Sequence, residues 1–158
     1  MNSKNKEVED RRVYIENILE KYGNGKNPVD EGSIKGTLDD QPFESEADSW
    51  VEHADKNGER LLLLFKSNDF SINLEVKQSV LSLDTYQFSM GYGDFLNLLS
   101  GNDQSRWYAD TAKFSGLFFD ASTGKLQCDV DATLWRNYPP NQETAKLKAK
   151  LLVVKPVK

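Results

Sequence analysis

A single cysteine, Cys128, leaves no partner for a disulfide within the chain and gives no sign of an oxidising compartment. A single histidine, His53, joined to that one thiol, falls short of the nitrogen and sulfur ligands of a zinc site. No apolar run approaches the length of a membrane span, and Met1–Glu7 holds no hydrophobic signal core, so the expected location is the cytoplasm. The catalytic signatures are also missing. There is no Gly-x-Ser-x-Gly elbow, and Gly91-Tyr92-Gly93 has neither a following glycine at dinucleotide spacing nor a Gly-Lys-Ser/Thr. Asp55-Lys56-Asn57-Gly58 echoes the start of a calcium loop but lacks the later oxygen ligands. No solenoid repeat and no low-complexity segment occurs. No cofactor and no metal are expected.

What is present fits one ordinary globular domain spanning residues 1–158, with 28% charged and 11% aromatic residues. The net charge of -5 is unevenly spread. Gly23–Arg60 carries ten acidic against four basic residues, while Ala145–Lys158 holds five lysines and no acid. An acidic chain without a basic stripe is a poor candidate for binding nucleic acid. It can steer a basic protein partner.

Val8, Ile15, Ile18, Leu19 and Tyr22 recur at helical spacing and predict an amphipathic helix over 7–22, stopped by Gly23-Asn24-Gly25. Two β-rich halves follow, over 33–90 and 106–154, with a short helix predicted over 94–100 from Phe95, Leu98 and Leu99. Ser33–Leu38 and a piece opening at Phe43 flank the turn Asp39-Asp40-Gln41-Pro42. Trp50–Lys56 and Glu59–Phe65 flank Asn57-Gly58, a strong hairpin signal that sets Asp55 opposite Arg60 and His53 opposite Leu62. Leu61–Phe65 is apolar throughout, which predicts a central strand covered on both faces. Phe70–Lys77 alternates, with Ile72, Leu74 and Val76 inward and Asn73 and Glu75 outward.

Lys113–Phe119, Lys125–Trp135 and Ala145–Val154 read as three consecutive antiparallel strands. About the Pro139-Pro140 loop, Leu134 is expected to face Leu147 and Asp131 to face Lys150, leaving Phe114 and Phe118 on the outward face for the N-terminal helix or a partner. Eight to ten short strands at hairpin spacing, without strand-helix-strand alternation, give a mainly β fold: an antiparallel barrel or a two-sheet sandwich.

Few residues suggest chemistry. His53 with Asp55 two residues on would suit a general base and its orienting partner, although an ordinary strand-edge hydrogen bond explains a lone histidine as well. Cys128 shares a strand face with Leu126, Val130 and Leu134, as an inert core thiol does. Glu44, Glu46, Asp48 and Glu52 alternate with Trp50, an acidic patch with an aromatic anchor. Arg106, Trp107 and Tyr108, and again Trp135, Arg136 and Tyr138, combine the residue types enriched at binding hot spots.

The stretch Gly36-Thr37-Leu38-Asp39-Asp40-Gln41-Pro42-Phe43, followed by Phe114-Ser115-Gly116-Leu117-Phe118 and a lysine-rich last strand, resembles small bacterial β-rich domains of unknown function. Many of those are surface lipoproteins opening on Gly-x-x-x-x-Gly-x-x-Phe/Trp, and here Asp40 or Gln41 stands where that pattern has glycine. The resemblance implies a β fold and assigns no activity. The function expected is therefore non-enzymatic binding, neutralising or adapting a basic protein partner through the acidic, aromatic-bearing surface. The alternatives are a lipocalin-like carrier of a small apolar ligand and, more distantly, a hydrolase using His53.

Overall fold

A computed structural model describes residues 3–23, 27–29, 31–56, 58–68, 70–89, 94–100, 106–136 and 143–156. One helix, α1 (Ser3–Tyr22), precedes nine strands. These are β1 (Glu31–Leu38), β2 (Gln41–Asp55), β3 (Gly58–Lys66), β4 (Phe70–Lys77), β5 (Tyr86–Ser89), β6 (Phe95–Ser100), β7 (Arg106–Asp120), β8 (Lys125–Arg136) and β9 (Glu143–Val154). A 3-10 turn at Gln78–Ser82 links β4 to β5. Asn57, Gly91–Gly93, Tyr138 and the Pro139-Pro140 loop lie outside the described residues.

The strands run β7-β6-β4-β3-β2-β1-β9-β8, and β8 pairs back onto β7, so eight antiparallel strands close into a barrel. Closure satisfies the hydrogen-bonding edges that an open sheet would leave bare. The ninth strand, β5, pairs with Thr111–Phe114 of β7, beyond the short stretch where β6 pairs with Arg106–Tyr108.

The Leu61–Phe65 run is covered on both faces, as its composition predicts. Leu61, Leu63 and Phe65 fill the barrel, while Leu62 and Leu64 lie outside it under α1. There they pack with Ile15 and Ile18 of the helix, Val51 of β2 and Phe95 of β6. The helix therefore does not cover the β7–β9 face, where the outward phenylalanines were expected to receive either the helix or a partner. Gly23 closes α1 by donating its N–H to the Leu19 carbonyl at 2.7 Å.

Several local expectations are corrected. Phe95–Ser100 is strand β6, not a helix: Leu96 and Leu98 enter the barrel while Phe95 and Asn97 are buried on the outside. A short run apolar on both sides fits either period, and pairing with β4 decides it. In the β2–β3 hairpin Asp55 faces Gly58 and His53 faces Arg60, two residues from the predicted register. Gly58, at φ 95, opens β3 instead of closing the loop. In β8–β9 Leu134 faces Ala145 and Asp131 faces Lys148, again two residues away. A shift of two keeps every side chain on its predicted face and changes only its partner.

The pieces at Phe43 and Trp50 are one strand, kinked by an irregularity between Ala47 and Ser49. Phe114 and Phe118 part company because the β7–β8 register shifts between Ser115 and Phe118, where Gly116 takes φ 58. The extra residues reverse the parity of the strand. Phe114 is 2% exposed inside the barrel and Phe118 is 55% exposed outside it.

Among the described residues, Leu61, Phe65, Ile72, Leu134 and Leu147 are fully buried inside the barrel. A cavity of ≈ 20 Å³ remains between Leu61, Leu74, Val80, Phe114, Leu117 and Cys128, room for about one water. Cys128 is a core thiol whose pKa burial pushes up to about 12.

Candidate functional site

The densest chemistry lies outside the barrel, beneath α1. Strand alternation sends His53 of β2, Arg60 of β3 and Glu75 of β4 out of the same side of the sheet. Glu75 was expected to point outward. It faces away from the barrel interior as predicted, but α1 roofs that side, and the Glu75 side chain is 0% exposed.

Glu75 is the hub. Its Oε1 meets His53 Nε2 in a hydrogen bond, and Arg60 Nε lies 3.7 Å from its Oε2. Tyr14 Oη, from α1, donates to Asp55 Oδ2 at 3.2 Å and to Glu75 Oε2 at 3.4 Å. Arg60 Nη2 donates to Asp94 Oδ1 at 2.6 Å, and Tyr86 Oη donates to Asp94 Oδ2. Tyr22, also from α1, stacks on the His53 ring with centroids 4.2 Å apart. Gln78 Nε2 holds the Arg60 carbonyl at 2.9 Å. Alongside, Asn73 and Asn97 pair at 2.8 Å.

Burial drives the Glu75 pKa above the ordinary carboxylate value, against the hydrogen bond from His53 and the charges of His53 and Arg60. Burial, with the Asp94 carboxylate accepting its proton, likewise raises the Tyr86 phenol. While Glu75 is ionised, His53 Nε2 must carry the proton of their hydrogen bond. His53 Nδ1 is buried without a hydrogen-bond partner among the described residues.

A histidine on a carboxylate is the raw material of a general base. Here the side chains of α1 cover it: Tyr22 lies across the ring and Tyr14 caps the carboxylate. Among the described residues no group of three His, Cys, Asp or Glu side chains is placed to hold a metal. What the cluster does is anchor α1 to β2 and β4 through directional bonds.

The residues singled out in sequence do not gather into one surface. Glu44 and Glu46 are exposed on the outside of β2, with Glu44 3.9 Å from Lys35. Asp48 lies 3.6 Å from Lys66. Trp50 is 4% exposed in the core, its Nε1 donating to Glu52 at 2.9 Å, and Glu52 also meets Lys155 at 2.7 Å. Arg106 pairs with Glu16 of α1, and Tyr108 packs against the helix cluster. Trp107 packs on the barrel core beneath the Arg136 guanidinium, 5.1 Å from its ring centroid. Trp135 is 3% exposed. Sequence reasoning found His53 and Asp55 and missed Glu75, Arg60, Asp94, Tyr86 and Tyr14. The one available signal was a charged residue on each strand flanking the apolar run.

No family model, no curated protein and no solved structure matches the chain. No helix among the described residues is long and apolar enough to cross a membrane.

Proposed function

We propose that the protein is a non-enzymatic interaction domain that binds a protein partner through the outside of its barrel. The observation that carries this reading is the tight packing of the described core side chains. Leu61, Phe65, Ile72, Leu134 and Leu147 are each 0% exposed, and a cavity among Leu61, Leu74, Phe114 and Cys128 is ≈ 20 Å³, against the several hundred of a small-molecule pocket. The covering of the His53–Glu75 pair by α1 supports binding over catalysis, since a general base must reach a substrate proton. The acidic residues of β2 do not by themselves single out a basic partner, because Lys35 and Lys66 stand beside Glu44 and Asp48.

A closed antiparallel barrel is also the architecture of small-ligand carriers, so the test must separate the two. Photo-crosslinking residues placed at positions 13, 44 and 148 sample exposed points on α1, β2 and β9. One stoichiometric protein adduct, from one face, is the expected result in the source cell. Native mass spectrometry of the purified protein is expected to show the mass of the chain alone. A bound apolar molecule at unit stoichiometry, with no adduct from any face, would overturn the proposal in favour of a carrier.

A further inference from the structure

The sign of the charge reverses on the side of the barrel that α1 leaves bare. On β9, Lys146, Lys148 and Lys150 occupy alternate positions, and all three are exposed on the outer face. Lys35 of β1 stands directly opposite Lys150, a like-charge pair that two neighbouring strands disfavour. Lys113 of β7 extends the group across Asp131 of β8. Five lysines thus meet Asp129 and Asp131 on one face of a chain whose net charge is -5.

The two aspartates do not neutralise them. Among the described residues, Lys113, Lys148 and Lys150 have no carboxylate oxygen within 4.0 Å, although Asp131 and Asp129 are their cross-strand neighbours. Lys146 Nζ donates to Thr133 Oγ1 at 2.8 Å, and Lys35 alone reaches an acid, Glu44 at 3.9 Å. Between the lysine stems lies a shallow depression of ≈ 590 Å³, bordered by Lys35, Lys148, Lys150, Ser115, Asp129 and Asp131. Gly36 in its floor brings β1 onto β9, where a Cβ would meet the Lys148 carbonyl oxygen at 2.0 Å.

We infer that this face, centred on β9, docks an extended acidic segment of the partner protein, with carboxylates at alternate positions meeting Lys146, Lys148 and Lys150. The inference rests on the interaction reading above and names its surface and the partner's chemistry. The spacing is the argument. Alternate residues of a strand repeat at roughly 6.6–6.8 Å, and an extended peptide laid along β9 repeats its own alternate side chains at the same interval. Asp129 and Asp131 line one flank of the track. They would repel the uniformly negative backbone of a nucleic acid, whereas a polypeptide can place a neutral or basic residue there.

The probe is a labelled eight-residue peptide of alternating Glu and Val, followed by fluorescence anisotropy. The matching Lys-Val peptide and a single-stranded oligonucleotide of equal charge serve as comparisons. The Glu-Val peptide is expected to bind best, and binding is expected to weaken with salt. Lys146→Glu/Lys148→Glu/Lys150→Glu should lower its affinity about tenfold or more, the product of three exposed charge pairs worth a few-fold each. Lys21→Glu/Lys56→Glu/Lys77→Glu makes the same change in net charge elsewhere and should lower it no more than about twofold. Lys148→Gln alone, should the triple variant not fold, is expected to lower it about two- to fivefold. Equal losses in both triple variants, or tighter binding of the oligonucleotide or the Lys-Val peptide, would overturn the assignment. So would a partner adduct recovered only from position 13, on α1, which would leave the interaction reading intact and exclude this face.

Discussion

Replacing Arg60 with methionine tests the cluster beneath α1 most directly. The substitution keeps most of the buried volume and removes the cation. Arg60 is 4% exposed in its side chain and lies between Asp94 at 2.6 Å and Glu75 at 3.7 Å. Removing one member of a buried ion pair typically costs about 3–5 kcal/mol, because the other charge is left without compensation. Glu75 keeps His53 and Tyr14, and Asp94 keeps Tyr86 and is 14% exposed, so the lower end, about 3 kcal/mol at neutral pH, is expected. The loss should depend on pH with a defined sign. Burial already raises the Glu75 pKa and Arg60 opposes that rise, so the variant raises it further. Below about pH 4.3, where a glutamate of the unfolded chain titrates, the carboxyl is neutral in both states and its share of the loss vanishes. As pH climbs above that value both proteins lose stability alike while their folded carboxyls stay protonated, and the gap widens only once the wild-type carboxyl ionises and until that of the variant, held higher, does too. Each added pKa unit is worth about 1.36 kcal/mol. Urea unfolding of both proteins at pH 5 and 7.5 measures the gap. A gap under about 1 kcal/mol, or one that does not widen with pH, would refute the reasoning. In the Glu75→Gln background the widening should disappear, and the two substitutions should be non-additive.

Four further outcomes are expected. Leu62→Ala, at a site 0% exposed on the outer face under α1, should cost about 2–5 kcal/mol and speed amide hydrogen exchange at Ile15–Leu19 more than in β9. Gly36→Ala should cost about 1–3 kcal/mol, read as a lowered melting temperature, because its Cβ would press into the backbone of β9. Cys128 in the native protein should be inert to a disulfide reagent at pH 8, and a reaction at the rate of a free thiol would contradict its burial. The same burial, with that of Tyr86, makes urea midpoints fall from pH 8 to 10.5, since the unfolded thiol and phenol ionise first.

The β class, the helix and the faces of most strands were legible because they depend on local periodicity. Alternation at Phe70–Lys77 put Ile72 and Leu74 inside, and the doubly apolar Leu61–Phe65 run announced a strand with a cover on each side. Register was less legible. Both mispaired hairpins kept the correct faces and missed by two residues, because opposite charges two positions along satisfy the same pairing rule: Asp131 suits Lys148 as well as Lys150. Phe114 was misplaced because a single glycine with positive φ reverses parity, and Gly116 does not announce its conformation in sequence.

The candidate surfaces divide along the same line. The lysine alternation at 146, 148 and 150 is written in the chain itself, since residues two apart on a strand share a face whatever surrounds it. The cluster of His53, Arg60, Glu75, Asp94 and Tyr86 is not. Periodicity told which side of the sheet Glu75 takes, but only the docking of α1 across β2, β3 and β6 decided that this side is dry. Whether a charged residue is a solvated surface group or the hub of a buried network depends on what covers it, and that cover is supplied by residues far away in the chain.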